Sequence, residues 1–416
     1  MKRTCLAVLA ASMLAWASPV QAELEVQLEG NIEFETRIFT KDVDTDDLGA
    51  QLQQFGSTQD YDHPNINFSG SLDPILILLW DRSKHTVTLN PYVRVDQHDK
   101  ERTHWDIRQA SWIGAFGNWE VRAGFDKVFW GVTESAHLVD IINQDDAVED
   151  TDGEDKLGQP LVSVSYWSEW GTLTGFIMPY FRERTFPGAN GRPRGPVEID
   201  TDNPIFTFGD NNWHPDWAVR YNHTFSVMDV ALSYFNGVGR EPSFVPGLGD
   251  EGQPVLRPKY DKIKQVGLEL QATLGSWLLK FEGITVDGPE KDRHWAFASG
   301  FEYTLYQVFG TGADIGIIAE YLYDSRGEAG PSAAEDDLFI GLRWEGNDTN
   351  TTRILAGSIF DLDSSAKLLF VEASRRIGDR WRVTLDARFA VSVPPGDPLF
   401  FFRRDDFIQL RIARFF

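Results

Sequence analysis

The chain has 416 residues, with 63 Asp and Glu against 39 Lys and Arg, for a formal net charge of −24. An acidic excess of that size repels polyanions and excludes a nucleic-acid-binding role. Beyond the first 22 residues no run of about 18 apolar residues occurs, which excludes a helical membrane protein, while the mean hydropathy of −0.30 leaves open a membrane signal carried by alternation.

The chain opens on Lys2 and Arg3, an apolar run from Cys5 to Trp16 and the small-residue sequence Val20-Gln21-Ala22. These are the three parts of a Sec-type signal peptide, so residues 1–22 are expected to be cleaved and residues 23–416 to form the mature domain. Removing Lys2 and Arg3 leaves 37 basic against 63 acidic residues, a formal charge of −26. The cut also removes Cys5, the single cysteine, so the mature chain has no disulfide, thiol nucleophile or thiolate metal site.

Immediately after the leader, Leu24, Val26, Leu28, Ile32, Phe34 and Ile38 alternate with Glu25, Gln27, Glu29, Glu33, Glu35 and Arg37. A period of two places apolar side chains on one face of a strand and charged ones on the other. Similar segments recur near 65–80, 85–96, 104–114, 119–129, 160–168, 172–181, 216–225, 229–236, 262–274, 277–286, 294–305, 313–323, 337–345, 351–360, 367–376, 380–391 and 407–416. The fold expected is all-β: a closed antiparallel transmembrane barrel of about 18 strands, with 16 as the alternative. Short connections carry Gly117-Asn118, Gly171, Gly275-Ser276, Gly346-Asn347 and Gly378-Asp379 and fall between long ones at 40–64, 130–159, 182–215, 237–261, 324–336 and 392–406. That parity assigns the short turns and both termini to the periplasm and the long loops to the exterior. An aromatic content of 13% supplies the girdles such a barrel needs at the two membrane interfaces.

The last strand presents Ile408, Leu410 and Ile412 outward and ends on Phe416. It resembles the terminal strand of bacterial outer-membrane proteins, whose final Phe is read by the barrel assembly machinery. Phe416 is accordingly the expected assembly signal. The implied surroundings are the outer membrane and its lipopolysaccharide, toward which the acidic tip Asp42, Asp44, Asp46 and Asp47 would face.

Facing the lumen, Arg94, Arg108 and Arg122 lie on three consecutive strands, with Arg382, Arg388 and Arg411 on later ones, among Asp106, Glu120, Glu269, Glu282, Glu320 and Asp386. Two readings stay open: a basic pore wall, or arginines each paired with a neighbouring acid. The loop 130–159 is the expected constriction, bringing Glu134, His137, Asp140, Asp145 and Asp146 against that wall and creating a transverse field. Ser135 as a cap, with Leu138, Ile141 and Ile142 at helical spacing, predicts a short helix there. A lid above the mouth or a contact with a neighbouring barrel is the alternative.

The run Gly124-Phe125-Asp126-Lys127-Val128-Phe129-Trp130-Gly131, followed by His137-Leu138-Val139-Asp140-Ile141-Ile142-Asn143, resembles the strand-to-loop segment of a poorly characterised group of proteobacterial porin-like barrels near the alginate-export and phosphate-selective porins. The specific match covers about twenty residues and carries no substrate or binding residue with it. Asp150, Asp152 and Glu154 have the one-residue spacing that calcium loops use but lack the later bidentate Glu, so a solvated acidic loop is favoured and no cofactor is expected. No HExxH or other close ligand pair occurs among the eight histidines, and no GxSxG elbow marks a hydrolase. The expected function is therefore not enzymatic: a channel for passive passage of small hydrophilic solutes, organic acids among them, as a monomer or a homotrimer. The alternatives are an exporter of an anionic polymer, an outer-membrane hydrolase, or an adhesion or assembly barrel.

Overall fold

A computed structural model describes residues 24–42, 64–150, 152–195, 197–250, 252–288, 293–327, 330, 335–395 and 397–416. The leader and the acidic residues Asp44, Asp46 and Asp47 lie outside the described residues. The first half of the barrel comprises β1 (Glu25–Phe39), β2 (Ile66–Trp80), β3 (His85–Asp96), β4 (His104–Phe116), β5 (Trp119–Asp126), β6 (Gln159–Ser168) and β7 (Gly171–Met178), then β10 (Asp216–Phe225) and β11 (Met228–Val238). The second half comprises β14 (Lys262–Leu274), β15 (Trp277–Asp287), β16 (His294–Leu305), β17 (Asp314–Asp324), β18 (Asp336–Glu345), β19 (Arg353–Asp361), β20 (Lys367–Ile377), β21 (Trp381–Val391) and β22 (Phe407–Phe415). Each pairs antiparallel with the next, and β22 pairs back onto β1 from Asn31 opposite Phe415 to Phe39 opposite Phe407. The 18-stranded sheet is thus closed and has no free edge.

Exposure runs opposite to that of a water-soluble protein. On β1, Val26, Leu28, Ile32 and Phe34 are 51–64% exposed, whereas Glu35 and Arg37 are 1% and 3% exposed. Charged groups facing inward and a continuous apolar skin outside are stable only if the skin meets lipid. At the short-turn end, Trp119, Tyr166, Trp170 and Tyr221 form a chain of rings with centroids 4.6, 6.3 and 6.0 Å apart, one arc of an interfacial girdle.

One departure from strict alternation matters for the interior. Asn90 pairs with Gln109, but the next residue, Pro91, pairs with Ile107, leaving Arg108 as an extra residue in β4. Proline has no N–H for the ladder, so the register breaks there. Arg108 and Gln109 consequently both reach inward, toward Asp73 and Asp126 respectively. The neighbouring Gly124 has φ +129°, and a Cβ on it would lie 2.2 Å from the Ala110 carbonyl oxygen, so β4 and β5 approach closely only because this residue is glycine.

The long loops hold a small second sheet. In it β12 (Ser243–Leu248) pairs antiparallel with β13 (Pro254–Tyr260), and β13 takes β8 (Glu198–Ile199) and β9 (Ile205–Phe206) in parallel. Sequence periodicity does not reveal it: two of these strands have two residues each, and the hairpin is interrupted by Pro246, Gly247 and Pro258.

Candidate functional site: the lumen and its inward loop

Residues 127–150 and 152–158, after β5, fold into the barrel. Asn143 ties the base of this loop, donating to the carbonyls of Asp126 and Leu157 at 2.8 Å each and accepting from the Val128 N–H at 2.8 Å. The apolar stripe then packs on the inner faces of β6, β7, β10 and β11, where Trp130, Val139, Ile141 and Ile142 cluster with Leu161, Phe176, Ala218 and Phe235. Burying Val139 and Ile142 completely stabilises the inward position by about 1.5–3 kcal/mol for each side chain.

The predicted helix over 135–142 does not form. Two wall carboxylates take the backbone N–H groups at its start: Glu282 Oε1 accepts from Val132 at 2.6 Å and Thr133 at 2.9 Å, and Glu320 accepts from Glu134 at 2.9 Å and Ser135 at 2.8 Å. Ionised carboxylates are stronger acceptors than peptide carbonyls, so the backbone wraps around them rather than coiling on itself.

The expected arginine wall becomes the loop's anchor. Glu149 reaches Arg94 at 2.8 Å, accepts from the Tyr92 hydroxyl at 2.9 Å, and lies 3.7 Å from Arg108. Glu35 on β1 bridges Arg94 at 3.1 Å and Arg102 at 2.7 Å. Arg37 and Arg102 also donate to the Glu149 carbonyl, at 3.1 and 3.3 Å. Burial works to raise the Glu149 carboxyl, but Arg94, Arg102 and Arg108 outweigh it and bring it down to about 2. Arg94 is 4% exposed, and Arg122 is held by Asp126 at 3.0 Å and Glu120 at 3.8 Å. The reading of Arg94, Arg108 and Arg122 as an open pore wall is thereby corrected: the inward loop covers Arg94, and carboxylates partner all three.

The remaining expected residues divide similarly. Arg388 is gripped by Asp150, Asp152 and Asp386 at 3.1, 2.7 and 3.2 Å, so two of the carboxylates read as a calcium hint hold a guanidinium instead. Arg382 sits with its guanidinium 5.1 Å from the Phe415 ring, and Arg411 lies opposite Glu35 in the β1–β22 register. Glu134 crosses the bore to Arg343 at 2.5 Å and Lys280 at 3.6 Å. Asp140 and Asp145 share Lys156 at 3.3 and 2.6 Å, and Asp145 also holds Arg184 at 2.5 Å. His137 Nδ1 is 4.0 Å from Glu282, and Asp146 accepts from Thr185 at 2.8 Å. Glu149, Arg102, Lys156 and Arg184 were missed because all four lie in irregular loops, where no periodicity says which way a side chain points.

The fold also assembles His104, Asp146 and Glu149, whose ligand atoms lie within 4.8 Å of one another. With Arg94, Arg102 and Arg108 already on Glu149, the local charge opposes a dication. Between the inward loop and the inner faces of β15–β21 a cavity of about 680 Å³ remains, extending up to the exterior loops near Gly239 and Phe402.

A solved structure shares this architecture. A BenF-like porin from Pseudomonas fluorescens Pf-5 superimposes with a TM-score of 0.50 at 9% identity, over 95% of this chain and 98% of that one. The chain has the closed antiparallel β-barrel fold of that porin. For this barrel, Wzi of Escherichia coli gives a TM-score of 0.49 at 9% identity over 92% and 84% of the two chains, and a Rh. blastica porin mutant gives 0.44 at 12% over 94% and 100%. At such identities the likeness is one of fold alone. No family model matches the barrel's sequence, and no curated protein does.

Proposed function

We propose that the barrel is a passive channel for small solutes, with loop 127–158 as its constriction and a preference for cations over anions. One observation carries this reading: among the described residues, the cavity beside the loop is lined by eleven Asp and Glu side chains and five Lys and Arg. A narrow bore of low dielectric magnifies that imbalance, which draws in cations and repels anions. The organic-acid preference expected from Arg94, Arg108 and Arg122 loses its basis, since the loop's own acids and those of the wall neutralise them. An anionic polymer meets the same repulsion.

Purified protein in planar bilayers is expected to give discrete conductance steps. Under a potassium chloride gradient the reversal potential should carry the sign of a cation-selective pore. Absence of steps at every voltage overturns the channel, and a reversal potential of anion-selective sign overturns the selectivity.

A further inference from the structure

One wall of the cavity is apolar and is not covered by the loop's stripe of Val139, Ile141 and Ile142. On the inner faces of β19 and β20, where charged residues would be expected, Leu355, Ile359, Leu368 and Phe370 face the open space, over the buried Leu322 of β17. Beneath them Phe339 is fully buried and stacks on Phe370, with ring centroids 5.6 Å apart and planes 17° from parallel. The Phe339 ring lies flat because two glycines give it room: a Cβ would come within 2.6 Å of that ring at Gly341 and 2.4 Å at Gly357. The glycines thus turn bulky rings into a smooth surface along the wall instead of obstructions in the bore. Apolar area left facing water is burial that a solute with an apolar face would recover.

Carboxylates border this surface. Glu372 is directly opposite Leu355 in the β19–β20 register, and Glu154 faces it from the inward loop. Among the described residues neither has an ion-pair partner; Arg388, the cation nearest to hand, is already shared by Asp150, Asp152 and Asp386. Burial, then the charges of Asp152 and Glu372, push the Glu154 carboxyl up to about 7, the mark of a place short of positive charge.

We infer that this cavity binds small organic cations that carry a flat apolar or aromatic body, the body against Leu355, Ile359 and Phe370 and the charge toward Glu372 and Glu154. The inference rests on the channel reading for its place on a transport path, but not for the binding itself. It is tested by calorimetry on the barrel in lipid nanodiscs, with benzyltrimethylammonium as probe and tetramethylammonium and benzoate as controls, beside bilayer recordings of the same preparation.

Benzyltrimethylammonium is expected to bind about ten-fold more tightly than tetramethylammonium, as burial of one ring implies, and benzoate to give no signal. Phe370→Ser and, on a separate strand, Leu355→Asn should each weaken benzyltrimethylammonium about ten-fold, and Glu372→Gln should weaken both ammonium ions together. Equal affinity for the two cations, benzoate binding as tightly, or unchanged affinity in whichever of Phe370→Ser and Leu355→Asn assembles normally would overturn the site. Selective binding without conductance steps overturns the channel while upholding the site. Conductance steps without selective binding do the reverse.

Discussion

Glu149 holds the inward loop to the first strands of the barrel, with Arg94 at 2.8 Å, Arg108 at 3.7 Å and the Tyr92 hydroxyl at 2.9 Å. Removing one member of such a buried pair leaves the others uncompensated, at a cost of about 3–5 kcal/mol. Glu149→Gln is therefore expected to release residues 143–155 from β3 and β4, seen as larger single-channel conductance and faster proteolysis of the loop in intact vesicles. Unchanged conductance and proteolysis would show that the loop is held without it. Half of this constellation was legible in the sequence. Strand alternation points Glu35 and Arg94 inward, because a period of two allows no other face once the oily side is known. Arg102 and Glu149 sit in connections without any repeat, and only the folded chain brings them together, across a separation of 47 residues.

At the scale of the loop itself, the apolar stripe Val139, Ile141 and Ile142 required a partner surface and found it on the inner wall. What periodicity misread was the backbone: spacing of the helical type arises equally when alternate turns of an irregular chain dip into one surface, and Glu282 and Glu320 supplied acceptors that a helix would have found in itself. The same loop has a pH response. Burial raises Asp140 and Asp155 to about 6, Asp155 further through Glu149, and raises Glu154 to about 7 and Asp146 in the same direction. The docked loop thus binds protons that a released loop gives up, so docking strengthens as pH falls from about 8 to 5; His137, lowered by burial, opposes this as a single group. Glu149 has the opposite sign, since its depressed value means that its ion pairs are lost only as pH falls from about 4.5 toward 2. Conductance in bilayers is expected to drop between pH 8 and 5 and to rise again near pH 3. A flat profile would remove the buried carboxyls from control of the loop.

For the whole molecule, the strand count, the order of short and long connections and the inward face of regularly alternating strands such as β1 and β3 were readable. A barrel wall imposes one local rule along its entire length, and every residue of a strand testifies to it. The bulge at Pro91, which sends both Arg108 and Gln109 inward, and the loop sheet of β8, β9, β12 and β13 were not readable, because each depends on pairing between distant segments. The seam gives the global test. The Phe416 N–H donates to the Gly30 carbonyl at 3.1 Å, and a Cβ on Gly30 would lie 3.0 Å from the Phe416 ring and 2.6 Å from the Asp73 carbonyl oxygen. Gly30→Val should therefore strain the join between β1, β2 and β22 and lower the fraction of chain that migrates as a compact, heat-modifiable species on gels, with Phe416→Ala acting in the same direction. Normal yield of the compact species in both variants would separate the seam from assembly.

Because β22 pairs with β1, residues 407–415 complete the cylinder. A chain that stops one strand early yields not a narrower pipe but a curled ribbon with two bare rims, each offering unpaired amides to whatever strand comes near. Closure is therefore something this architecture checks mechanically: a copy lacking one of these strands cannot hide its rims, and it is left in a form prone to clumping and open to proteases.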